Sequence, residues 1–137
     1  MKNILELLEN AARAFPDKTA VADDCSSLCY RELLQRSRTV GSALADAGNR
    51  GLPVAVCMEK SADLLAAMLG VVYSGGFYTV MDVSMPTDRM RRIFGTLKPA
   101  AVLVGRELLD KLDLSFFDGE IICYEDAAAH SEDLEAL

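Results

Sequence analysis

From residue 54 onward the chain repeats one pattern, a short apolar run followed by a longer segment with apolar residues at helical spacing. The runs lie at 54–58, 77–81, 101–104 and 120–123, and the intervening segments at 61–74, 86–97 and 106–112. Strand–helix–strand repetition implies parallel pairing with right-handed crossovers, because a parallel partner can be reached only by crossing the sheet face. The run Val54-Ala55-Val56-Cys57-Met58 has no polar interruption, as expected of a strand covered on both faces. Ser61 is placed to cap the helix that follows it, with Asp63 in its first turn, and Pro86 fits the first position of the next helix. That second helix should turn Met90, Ile93, Phe94 and Leu97 inward. The 61–74 segment is apolar nearly all round, which predicts burial on more than one side and a packing partner beyond a small domain.

The first fifty residues follow a different pattern. Asn3 and Glu6 form a capping-box-like start to a helix carrying Ile4, Leu8, Ala11, Ala12 and Phe15, which Pro16 ends. Extended pieces at 19–22 and 28–29 flank a polar loop and read as a hairpin. A helix over 30–47 follows, with Leu33, Ser37, Val40, Leu44 and Ala47 on one stripe and Gly48 at its stop. The expected fold is a three-layer α/β unit over residues 1–124: a mostly parallel sheet flanked by helices, with a small N-terminal β-hairpin. Residues 125–137 read as an acidic tail, either a weak helix or a frayed end.

Composition narrows the function. Apolar residues make up 51% of the 137 and charged residues 26%, enough to bury a core without staples. The net charge of −7 argues against nucleic acid, whose phosphates need clustered Lys and Arg. The one basic cluster, Arg89, Arg91, Arg92 and Lys98, has helix-face spacing and reads as a solvated surface, with an anion site as the alternative. The most apolar stretch, 64–73, is too short to span a bilayer, and no signal-peptide pattern opens the chain. Cys57 and Cys123 lie inside apolar runs and read as small core residues. Cys25 and Cys29 have no second pair to complete a zinc site, since His130 is the only histidine. No disulfide framework emerges, and a reducing cytoplasm fits.

Chemistry is harder to find. Gly75-Gly76 follows a helix and precedes a strand, the reverse of a phosphate-binding loop, and reads as a helix C-cap with a tight turn. Ligands of open α/β sheets collect at the carboxyl ends of strands, here Met58-Glu59-Lys60-Ser61, Met81-Asp82-Val83-Ser84 and Val104-Gly105-Arg106. Asp82 draws interest there, read first as a turn residue bonding backbone N–H groups and second as a ligand. Glu59 and Lys60 read as a solvated pair, and Tyr73, Phe77 and Tyr78 as core aromatics. No Gly-x-Ser-x-Gly exists, and His130 sits in the polar tail.

Two stretches resemble the core motifs of adenylate-forming, AMP-binding enzymes. Leu28-Cys29-Tyr30-Arg31-Glu32-Leu33 resembles the first, usually Leu-Thr/Ser-Tyr-x-Glu-Leu, and the stretch from Met68 through Gly75-Gly76-Phe77-Tyr78 to Asp82 resembles the second. Pro86 and Arg89 match the family's Pro-x-x-Arg. The likeness runs from about residue 3 to 124 and looks closest to amino-acid adenylation domains of nonribosomal peptide synthetases and to D-alanine ligases. Cys29 departs from the usual Thr or Ser, and Thr79, Met81 and Val83 depart from the second motif, including both its prolines. The resemblance implies a parent that uses ATP and Mg²⁺ to make an acyl-adenylate and passes the acyl group to a carrier-protein or CoA thiol. The family's phosphate loop, nucleotide-binding residues and catalytic lysine have no counterpart here. No catalytic, cofactor-binding or metal-binding residue is therefore carried over, and the chain alone is expected to be inactive.

Two readings stand at this point. One is a partial subdomain of a larger adenylating ligase, its partner being the rest of that enzyme; the other is a non-catalytic α/β binding or interaction module derived from the family. The first predicts bare apolar surface and self-association through it.

Overall fold

The alternation of apolar runs and helical segments builds a four-stranded parallel sheet. In the computed structural model, which describes residues 4–24, 26–49 and 51–129, the strands are β3 (Pro53–Cys57), β4 (Phe77–Val80), β5 (Ala101–Val104) and β6 (Glu120–Cys123). Their order is β4-β3-β5-β6 and every neighbouring pair is parallel. The two antiparallel hairpin strands, β1 (Thr19–Ala22) and β2 (Ser27–Cys29), stand apart from it. The helices are α1 (Ile4–Ala14), α2 (Tyr30–Asp46), α3 (Ala62–Tyr73), α4 (Thr87–Leu97) and a short α5 (Tyr124–Ala128). The expected cap at Asn3, as well as Cys25, His130 and the tail beyond Ala129, lies outside the described residues.

Alternating side chains of the central strands feed two cores. Val54, Val56 and Leu103 point into a layer formed by α1, α2, α3 and α5, whereas Ala55, Cys57, Val102 and Val104 point toward α4 and the segment after β5. All seven are fully buried, and each valine or leucine side chain so buried contributes roughly 1.5–3 kcal/mol. Burial pushes the Cys57 thiol up to about 11, which fits a small core residue. Cys123 is only half-buried.

Helix α3 carries no exposed residue, because the sheet covers one side and α2 and α1 cover others. The all-round apolar character read from its sequence is thus satisfied within the chain, and no absent partner is needed to explain it. Gly70 permits the close approach to α2: a Cβ there would meet Val40 Cγ1 at 2.5 Å. The bare apolar surface lies elsewhere. Phe77 and Tyr78, expected in the core, are exposed at 66% and 39% because β4 is an edge strand. Ile4 and Phe15 of the expected α1 stripe are also exposed, while Leu8 and Ala12 carry that helix's contact with the core.

Two local motifs behave as their residue types dictate. Ser74 ends α3; the Gly75 N–H donates to Val72 O and the Gly76 N–H to Val71 O, with Gly75 at φ 80°, a Schellman ending. The helix expected over 106–112 is instead a single 3₁₀ turn at Arg106–Leu108 followed by further turns. Its N–H groups reach back three residues, from Leu108 to Gly105 and from Leu109 to Arg106.

At the start of α2 the Cys29 N–H donates to Glu32 Oε1 at 3.0 Å, and this bond holds the Glu32 carboxyl below its usual range. The Cys29 sulfur occupies the acceptor position of the capping box over the Glu32 N–H without making a full cap hydrogen bond. Sulfur is a weak acceptor. Replacing Cys29 by Thr is therefore expected to stabilise the protein by about 0.5–1 kcal/mol. Urea midpoints of the two proteins check this, and an unchanged or lower midpoint for Cys29→Thr would show that the half-buried site rejects the branched side chain.

Candidate functional site

The carboxyl ends of β3 and β5 open onto a cavity of about 430 Å³, walled by the hairpin loop, the start of α3 and the start of α5. Carboxylates dominate its lining: Asp23, Asp24, Glu59, Asp63, Glu107 and Glu125 stand against the single cation Lys60. Three of these carboxylates, Asp23, Asp63 and Glu125, have structural partners. Asp23 Oδ2 accepts the Ala62 N–H at 2.7 Å, so the hairpin loop holds the N-terminus of α3, where a negative charge is favoured. The other Asp23 oxygen accepts the Ser26 N–H at 2.7 Å. Ser61 Oγ accepts the Leu64 N–H at 3.2 Å, the cap expected from its position. Glu125 takes the Arg106 N–H with both carboxylate oxygens, tying α5 to the turn after β5.

Asp63 joins three helices. Its Oδ1 accepts from Arg36 at 2.6 Å and from the Tyr124 hydroxyl at 2.9 Å. Burial pushes the Tyr124 phenol far above its ordinary range, and the neighbouring carboxylate adds to the shift. A second network sits at the far end of α3. The Tyr73 hydroxyl donates to Glu9 Oε1 at 2.9 Å, and Arg38 reaches the same oxygen while lying over the Tyr73 ring. Burial pushes Tyr73 up to about 12, with the Glu9 bond second. Neither network was legible in the sequence, since the bonded partners are 27 to 64 residues apart.

Asp82 behaves as a turn residue. Its Oδ1 accepts both the N–H and the hydroxyl of Ser84, and these bonds lower its pKa. The basic cluster divides. Arg89 and Arg92 flank a groove of about 910 Å³ between α4 and β4, Arg91 lies over the Phe116 ring, and all four cations are exposed. Among the described residues no group of three or more His, Cys, Asp or Glu side chains is placed to hold a metal ion. Asp23, Asp63 and Glu125 are not free to hold a nucleotide with its metal, because backbone N–H groups, Arg36 and Tyr124 engage their carboxylates. What the sheet and its carboxyl ends define is a scaffold of the α/β class, in whose polar rim Asp23, Asp63 and Glu125 join helices and turns.

Residues 8–136 match the family model described as AMP-binding enzyme. The chain belongs to that family. It is 30% identical over 137 residues to surfactin synthase subunit 1 of Bacillus subtilis (strain 168), covering 99% of this chain and 4% of the relative. It is 30% identical over 126 residues to tyrocidine synthase 1 of Brevibacillus parabrevis, covering 91% and 12% respectively. Among solved structures, the nonribosomal peptide synthetase FmoA3 superposes with a TM-score of 0.86 at 29% identity, over 97% of this chain and 14% of that one. VinN shares the fold with a TM-score of 0.83 at 20% identity. The chain thus spans a small part of the length of its relatives. No helix among the described residues is long and apolar enough to cross a membrane.

Proposed function

We propose that this chain is the N-terminal portion of the adenylation domain of an ATP-dependent acid–thiol ligase that activates an amino acid as its acyl-adenylate. The observation that supports this reading best is coverage: nearly the whole chain superposes on a nonribosomal peptide synthetase, including a form with α-methyl-L-serine-AMP bound, at a TM-score of 0.85. The chain's part in that activity is scaffolding. It supplies one sheet with its covering helices, and the strand ends present a polar rim toward the remainder of the domain. ATP and Mg²⁺ would be held by that remainder, as would the amino acid, and the acyl group would pass to a carrier-protein or CoA thiol in the cytoplasm. The second reading, a non-catalytic module descended from the family, draws support from the engaged carboxylates at the strand ends.

Complementation separates the two. The aligned segment of the tyrocidine synthase 1 adenylation domain is replaced by this chain, and ATP–pyrophosphate exchange is measured with a panel of amino acids. Exchange by the chimera, with none from the 137-residue chain alone, is the expected result, because transition-state stabilisation needs positioned donors that this chain lacks. A folded but inactive chimera would favour the module, and robust exchange by the chain alone would overturn both readings.

A further inference from the structure

The two edges of the sheet are not equivalent. Strand β6 opens with Glu120, which accepts a hydrogen bond from Asn49, and runs directly into α5. Strand β4 reads Phe-Tyr-Thr-Val, with no charge or proline before Asp82. Natural edge strands are usually guarded by charges, prolines or bulges, because an open edge is a template for another strand. Here three of the four side chains, Phe77, Tyr78 and Val80, are exposed, and Leu52 lies exposed before β3.

The ladder direction shows which backbone groups are open. The Met81 N–H donates to Val56 O, so Met81 faces β3, and by alternation Thr79 and Phe77 do too. The N–H and C=O groups of Tyr78 and Val80 therefore point away from the sheet. These two residues flank Thr79 symmetrically, which makes the edge complementary to itself.

We propose that the chain forms a two-fold dimer by antiparallel pairing of β4 with β4 of a second copy, centred on Thr79. In this register Tyr78 lies opposite Val80 of the second copy, and each such pair exchanges two backbone hydrogen bonds, four in all. Each pair also sets an aromatic ring against a β-branched side chain on the same face, a favourable cross-strand combination. The interface is isologous and closes, so it yields a dimer and not a fibre. The chain's charge of −7 does not oppose it strongly, because the charged groups beside this edge, Arg89, Arg92, Lys60, Asp82 and Glu59, are of mixed sign. A second exposed apolar group, Ile4 and Leu7 on α1 with Phe15 just after it, is interleaved with Glu6, Glu9 and Arg13 and offers no strand edge to pair with. Covering Phe77 and Tyr78 removes on the order of 200 Å² of surface per chain. With the strand backbone added, the interface stays at the small end of specific contacts, so the dimer is weak and concentration-dependent.

Sedimentation of the 137-residue chain from roughly 5 to 500 µM is the test, at the affinity expected of so small an interface. One-chain mass at the low end and two-chain mass at the high end are expected. Val80→Pro removes an N–H that faces away from β3, which edge strands tolerate, and should weaken the dimer at least about tenfold with the circular dichroism unchanged. Val80→Lys is the second variant should the proline disturb β4. Thr79→Cys on the wild-type background should yield, under mild oxidation, a disulfide between the two copies of residue 79, identified by peptide mass mapping. A monomer at the highest concentration overturns the proposal. So does a dimer indifferent to both Val80 substitutions but abolished by Leu7→Lys, which would place the contact on α1.

Discussion

Adding one methyl group at Gly76 is expected to cost the protein about 3 kcal/mol or more, a large part of the total stability of a domain this size. A Cβ at this position would lie 2.2 Å from the carbonyl oxygen of Leu52. That oxygen belongs to backbone and cannot swing aside as a side-chain tip could. Leu52 is fixed from both directions, since its N–H bonds Asn49 O, the preceding Gly51 N–H bonds Ser74 O, and Pro53 begins β3. The clash can be relieved only by separating the loop before β3 from the turn that feeds β4, which disturbs the parallel pair they start. Gly95→Ala is the control. It sits exposed within α4 with nothing near its Cβ position, so the same methyl should stabilise by about 0.5–1 kcal/mol. Denaturant midpoints of both variants provide the comparison, and equal midpoints would mean that the Leu52–Gly76 approach is relaxed in solution.

Tyr124→Ala is expected to cost about 3–5 kcal/mol, the range for truncating a buried aromatic side chain. Tyr124 is 3% exposed, and its ring packs in the core shared by α2 and α3. Tyr124→Phe should cost only about 1 kcal/mol, because it keeps the ring and removes the hydrogen bond to Asp63. Asp63 would retain Arg36, a half-exposed partner whose contribution is correspondingly modest. Urea unfolding of the three proteins measures the difference. A loss below about 1 kcal/mol for Tyr124→Ala would make α5 an appendage to the domain.

The elements were largely readable because the residues that specify them are neighbours in sequence. The unbroken apolar run at β3, Ser61 at its cap, Pro16 after α1 and Gly75 at the end of α3 each act over fewer than five residues, and each appears where its chemistry directs. The site was less legible. Asp82 behaves as a turn residue, as its type suggests, but nothing local reveals that Asp23 caps a helix 39 residues away. Phe77 and Tyr78 show the same limit from the other side. A strand's apolar composition does not say whether it lies at the centre or the edge of its sheet.

The sequence alone determined the succession of strands and helices, their parallel sense and the family likeness, because backbone propensity, capping and crossover geometry are set by short stretches of chain. Tertiary structure decided the strand order β4-β3-β5-β6, and with it which apolar residues are buried and which stand on an open edge. It also decided that the acidic groups at the strand ends would bind backbone, arginine and tyrosine. The physical reason is that burial and pairing depend on residues brought together from distant positions, and a half-buried carboxylate takes whichever donor the packing places within reach.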